Sequence, residues 1–143
     1  MIKISAQVDN RRGDHRVTLT TNGAAHSIVI PPKANGSGSS ANGGELLFLA
    51  LATCYCNDIY REAAKRNIAV RSVQVEVSGD FGDDPGSRAE AITYNATVEA
   101  EADEATIIDL MKHTDTVAEI HNSLRQATGV TLKATRAVSV KST

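Results

Sequence analysis

Glu45-Leu46-Leu47-Phe48-Leu49-Ala50-Leu51-Ala52-Thr53-Cys54-Tyr55-Cys56 is the stretch on which the reading of this chain turns. It is an almost uninterrupted apolar run, and it ends in the only two cysteines of the protein. Residues 57–67 continue it with polar, helical character. A long helix is expected from Glu45 to about Arg66. Its first half is apolar nearly all round, the mark of a buried helix. Its second half sets Ile59, Ala63 and Ala64 against Arg61, Glu62, Lys65 and Arg66. Glu45 suits the positive end of the helix dipole, so its plainest role is to stabilise that end.

Ahead of the helix, residues 33–44 read Lys-Ala-Asn-Gly-Ser-Gly-Ser-Ser-Ala-Asn-Gly-Gly, a flexible loop serving as lid or linker. No Gly-Lys-Ser/Thr follows, and the glycine spacing fits no dinucleotide fingerprint. Earlier still, Ile2, Ile4, Ala6 and Val8 alternate with polar residues. So do Val17 and Leu19, then His26, Ile28 and Ile30. These are three short strands. The first pair turns at residues 9–14, the second at Asn22-Gly23, a tight-hairpin pair.

Beyond the helix, Val73, Val75 and Val77, then Ile92, Tyr94, Ala96 and Val98, give two strands of a hairpin around the Asp/Gly/Pro turn at residues 80–86. Asp103 precedes a short helix carrying Ile107, Ile108 and Met111. Thr114-Asp115 is read as opening another, with Val117, Ile120 and Leu124 on one face and Gly129 as its stop. A last strand is expected from Val130 through Leu132 and Ala134 to Val140. Three strands, a long helix, two strands, two short helices and a strand make an α+β chain. Its 143 residues fit one domain: an N-terminal β-meander over 1–32, the loop over 33–44, and the rest over 45–143. A helix apolar on every face needs cover on every side, and one small sheet covers one side. An obligate, intertwined homodimer follows.

Composition narrows the partners. The net charge is −2, and Lys and Arg are scattered without interleaved aromatics, which argues against nucleic acid. Arg11-Arg12 reads as a solvated loop. No apolar run approaches the roughly 18 residues of a membrane span, and the first residues lack the pattern of a secretory signal. A cytoplasmic location is expected, where both thiols stay reduced. Cys54 and Cys56 stand at i and i+2, about 200° apart on a helix, and cannot bond to each other without unwinding it. His15, His26, His113 and His121 show no metal-binding spacing. No serine lies in a nucleophile elbow.

The run Glu45-Leu46-Leu47 leading through small and apolar residues to Cys54 resembles the OsmC/Ohr family of thiol-dependent hydroperoxide reductases. The element order matches over nearly the whole chain, as does His121-Asn122-Ser123-Leu124-Arg125 running into Gly129-Val130-Thr131-Leu132. The resemblance implies intertwined homodimers with antiparallel sheets around paired central helices. It implies a reactive thiolate at Cys54 that attacks a hydroperoxide and becomes a sulfenic acid. It places a second, resolving cysteine at the position held here by Ala118. It also places proline at Gly43 and, in the hydroperoxide-reducing branches, glutamate at Gly44. Glu45 matches a second frequent acidic position. Arg11, Arg12 and Arg16 are the candidates for the arginine that such a glutamate orients, and His121 is a candidate partner of Cys54.

The departures have chemical consequences. With no thiol at position 118 and Cys56 on another face, a sulfenic acid at Cys54 would be resolved by an external thiol, with no bound cofactor. The sequence supports two readings. In one, the protein reduces organic hydroperoxides through Cys54. In the other, it is a non-catalytic dimer of the same fold whose apolar pocket takes a small ligand. Cys56 reads as a small structural hydrophobe in either case.

Overall fold

The structure, a computed structural model, describes residues 1–140. The elements in order are β1 (Ile4–Arg11), β2 (Asp14–Thr21), β3 (Ala24–Ile28), α1 (Gly43–Lys65), β4 (Val70–Phe81), β5 (Ala89–Ala100), α2 (Glu104–Val117) and α3 (Glu119–Arg125). This is the expected α+β order up to the last helix. The chain divides into two compact units, Met1–Ala52 with Glu76–Asn95, and Thr53–Val75 with Ala96–Thr143.

The first unit holds the antiparallel meander β1-β2-β3. Val8 pairs with Val17, and Val17 with Ile28, so the apolar alternation of the three strands falls in register. Asn22 and Gly23 both take positive φ at the β2–β3 turn, which is why Asn-Gly stands there. Residues 33–42 are fastened to the β1–β2 turn: the Gly13 amide donates to the Gly36 carbonyl at 2.8 Å and the Gly38 amide to Asn10 Oδ1 at 3.3 Å. α1 starts at Gly43, two residues before the expected point, because Asn42 caps it. Asn42 Oδ1 accepts from the Glu45 amide at 2.8 Å, and the Glu45 carboxylate accepts from the Asn42 amide at 2.9 Å. This reciprocal capping box satisfies two amides that the helix leaves open. Within the same unit Phe48 lies against the β4–β5 hairpin, its ring 5.9 Å from that of Phe81. A Cβ at Gly79 would come within 2.9 Å of Phe48, so this strand position has room only for glycine.

The second unit holds the rest of α1, the open ends of β4 and β5, and both short helices. Leu51, at the end of the first unit's share of α1, begins a buried stripe that runs through Tyr55, Asp58, Ile59, Glu62 and Ala63. That 3–4 spacing is the signature of one helix face. In α2, Leu110 and Thr114 are fully buried, and Thr114 Oγ1 donates to the Leu110 carbonyl at 2.8 Å. Tyr55 Oη reaches the Met111 carbonyl at 2.9 Å, and Arg125 Nη2 pairs with Asp115 at 2.7 Å, so α2 is tied to both α1 and α3. Asp103 caps α2 by accepting from the Thr106 amide.

Three sequence expectations require correction. The expected start of a helix at Thr114-Asp115 lies inside α2, because Thr114 satisfies its hydroxyl on its own helix and stays buried. The break comes at Ala118, whose backbone is extended. The last helix stops at Arg125, not at Gly129, with Ala127 taking the positive φ expected of the glycine. The expected last strand is absent: residues 128–140 have no regular structure, and Val130, Leu132, Val138 and Val140 are exposed. A strand exists only where another strand completes its ladder, and this segment pairs with none among the described residues.

Candidate functional site

Cys54 lies in the second unit, on the half-buried flank of α1. Its Sγ–H is within reach of two carboxylates. Asp58 Oδ2 is at 3.6 Å, one helical turn on, and Glu119 Oε2 is at 3.9 Å, supplied by the first residue of α3. Arg61 Nη1 stands behind both acids, 3.2 Å from Asp58 Oδ1 and 2.8 Å from Glu119 Oε1. Each carboxylate thus turns one oxygen to the sulfur and the other to the guanidinium. Arg61 Nε bonds Glu62 at 2.9 Å, and Glu62 also receives Lys65 Nζ at 2.9 Å and His113 Nε2 at 2.8 Å. The extended backbone at Ala118 ends α2 and starts α3, which is what brings Glu119 to the sulfur.

The protonation equilibria follow from this packing. Burial pushes the Cys54 thiol above its ordinary range, and the Asp58 charge adds to that. The Ile120 backbone amide, bonded to the sulfur, opposes them. Burial raises Asp58 to about 6, helped by its hydrogen bond to Glu119 and by that residue's charge. Burial works the same way on Glu119, yet its own amide, Asp58 and Arg61 hold it below the usual carboxylate range. Hydrogen bonds from Lys65, Arg61 and His113 hold Glu62 down at about 2.

The residues named from the sequence are distributed as follows. Cys54 and His121 both belong to the second unit. His121 is buried with its ring 6.2 Å from that of Tyr55, and burial lowers its pKa. Glu45 lies two and a half turns earlier in α1 and serves the capping box. Arg12 and Arg16 belong to the first unit, Arg16 paired with Asp14 at 3.1 Å. Beside the thiol within this chain stand two acids with Arg61 behind them. Asp58, Arg61 and Glu119 were not singled out from the sequence. The i, i+4 and i, i+7 spacing from Cys54 to Asp58 and Arg61 was the available signal, and it places all three on one helix face. Glu119 had no such signal, since it comes from a distant element.

Sγ of Cys54 and one oxygen each of Asp58 and Glu119 lie within 4.8 Å of one another, the spacing of a small cation site, and among the described residues this is the one such set. Arg61 already supplies a positive charge to both carboxylates.

Comparison with known proteins adds the following. The family model described as OsmC-like protein matches residues 36–133, more than half of the chain. No curated protein matches. An OsmC-like protein from Mycoplasma pneumoniae has a similar solved structure, at 18% identity over 87% of each chain with a TM-score of 0.60. So does a putative osmotic stress induced and detoxification response protein from Psychrobacter arcticus, at 22% identity over 82% of this chain and 85% of that one, TM-score 0.60. An organic hydroperoxide resistance protein from Elizabethkingia anophelis is 18% identical over 86% of this chain and 88% of its own, TM-score 0.58. These likenesses establish the fold.

Proposed function

Since this chain belongs to the OsmC-like protein family, we propose that it reduces organic hydroperoxides with Cys54 as the nucleophile and an external thiol as the reductant. The observation that carries the reading is the state of the sulfur. It is half-buried rather than sealed, and although burial pushes the thiol above its ordinary range, the Ile120 backbone amide bonded to the sulfur offsets part of that push. The sulfur attacks the terminal peroxide oxygen, the O–O bond breaks, and Cys54 becomes a sulfenic acid as the hydroperoxide becomes an alcohol. A reductant thiol then displaces water to form a mixed disulfide, and a second thiol frees Cys54. Resolution from outside is required because Ala118 holds the place of the second cysteine and is fully buried. Both thiols need the reducing setting of a cytoplasm. The test is consumption of cumene hydroperoxide by the purified protein with excess dithiothreitol. A rate no higher than that of buffer overturns the reading.

The charge around the sulfur sets the substrate class. Asp58, Glu119 and Glu62 are three carboxylates against two fixed cations, Arg61 and Lys65, leaving one net negative charge. A neutral alkyl or aryl hydroperoxide approaches without Coulomb cost, whereas a fatty-acid hydroperoxide brings a like charge. The methyl ester of such a substrate is expected to react faster than its acid at low salt, with the gap closing at 0.5 M salt or above, near the limit where screening is short-ranged. Equal rates at low salt would count against this charge selection.

We also propose that the working form is a homodimer. Ile4, Val8 and Ile28 on the meander are exposed in the single chain, as are Val130 and Leu132 in the tail. Exposed apolar surface of this kind, on either unit, marks an interface. Light scattering is expected to give twice the 15.1 kDa chain mass, and a value of 15.1 kDa would refute it.

A further inference from the structure

Attack by a thiolate on a hydroperoxide leaves an alkoxide, a poor leaving group that needs a proton as the O–O bond breaks. At Cys54 the proton begins on the sulfur, and one side chain is placed to carry it across. We propose that Asp58 is a catalytic residue that accepts the proton from Cys54 Sγ and delivers it to the departing alkoxide oxygen, a role that rests on the hydroperoxide-reductase reading above.

The geometry separates Asp58 from its neighbour. Asp58 Oδ2 lies 3.6 Å from Sγ, and its carboxyl is almost wholly buried. Cys54 and Arg61 face it from its own helix, and Glu119 faces it from α3. Glu119 also reaches the sulfur, but its side chain is 61% exposed, and Arg61 holds its other oxygen at 2.8 Å. That salt-bridged, solvated acid stays ionised. Asp58 binds a proton near pH 6, because of burial and then Glu119, and can therefore both take and return one close to neutrality. Arg61 on Oδ1 keeps Oδ2 turned to the reacting atoms.

The step balances. Asp58 carboxylate takes H⁺ from Sγ, and the sulfur electron pair forms the S–O bond to the terminal peroxide oxygen. The O–O bond breaks, and Asp58 gives H⁺ to the alkoxide. Cys54 is oxidised by two electrons to S–OH, the hydroperoxide is reduced to the alcohol, and Asp58 ends as it began.

Single-turnover oxidation of the reduced protein by cumene hydroperoxide from pH 5 to 9 tests this. In the wild type the rate is expected to rise about tenfold in all from pH 5 to 7 and to level off above about pH 7, because the reactive pair is complete once Asp58 is ionised. A thiol acting alone instead keeps rising tenfold per unit through pH 8, since its own pKa is raised. Asp58→Asn is expected to be on the order of 100-fold slower at pH 7 and to show that continuous rise. An Asp58 that merely repelled the thiolate would make Asp58→Asn faster. A wild-type profile without the plateau, or an Asp58→Asn rate equal to or above wild type, overturns the proposal. The wild-type profile decides the matter even if the variant does not fold. Cys54→Ser in the same assay keeps the two readings apart. If it reacts at the wild-type rate, the hydroperoxide-reductase reading fails. If it is inert while Asp58→Asn is unchanged, only the proton-carrier role fails.

Discussion

Cys54→Ser is expected to reduce dithiol-dependent turnover of cumene hydroperoxide to the buffer rate, while Cys56→Ser retains at least half of wild-type turnover. The difference lies in the atom. A sulfur can give up two electrons to a peroxide oxygen and be restored by a thiol, and a serine oxygen can do neither. Oxidation of the reduced protein should leave a sulfenic acid on Cys54, detected by mass spectrometry as a dimedone adduct on the peptide that contains it. Cys56 is two residues away and so points from another face of α1 than the one that meets Asp58 and Glu119. Equal turnover in Cys54→Ser and wild type would end the enzymatic reading and leave the fold alone standing.

Leu110→Ala is expected to cost about 2–5 kcal/mol of stability, the range for emptying a buried leucine site. Leu110 has no exposed surface, and it lies on the turn of α2 whose carbonyl receives Thr114 and whose neighbour Met111 receives Tyr55. Those two hydrogen bonds hold the backbone in place, so the cavity has little freedom to collapse. Against a typical total of about 5–15 kcal/mol the loss is a large fraction. Urea denaturation should show a lower midpoint with an unchanged slope. A loss under about 1 kcal/mol would mean that α2 does not seat Leu110 as the structure has it.

What could be read from the sequence and what could not divide along physical lines. Val8, Val17 and Ile28 alternate at the strand period, and Asn22-Gly23 is a local steric solution to a tight turn, so the meander was legible. The apolar run to Cys54 likewise declared α1. Asp58 and Glu62 were hidden because residue type pointed to solvent while position pointed inward; they lie on the stripe of Leu51, Tyr55 and Ile59. Counting helical phase from Cys54 would have exposed them. Glu119 was not legible at all, since its approach to the sulfur depends on a break at Ala118 that no glycine or proline marks. Thr114 misled in the opposite sense, its hydroxyl suggesting a cap where it instead bonds to Leu110 within the helix. The tail from Val130 carries a strand's alternation but lacks the second edge that would make it one. Arg12 and Arg16, the candidates the family resemblance offers as the activating cation, lie in the meander, while Arg61, just under one turn beyond Asp58, holds the acids.

Seven apolar residues are buried among the described residues: Val17, Leu51, Tyr55, Ile59, Ala63, Leu110 and Ala118. So thin an interior cannot by itself outweigh the conformational entropy of ordering a chain of this length. If the missing cover comes from a second copy, stability obeys mass action. The melting temperature then climbs as the protein is concentrated, and dilution alone is a denaturant.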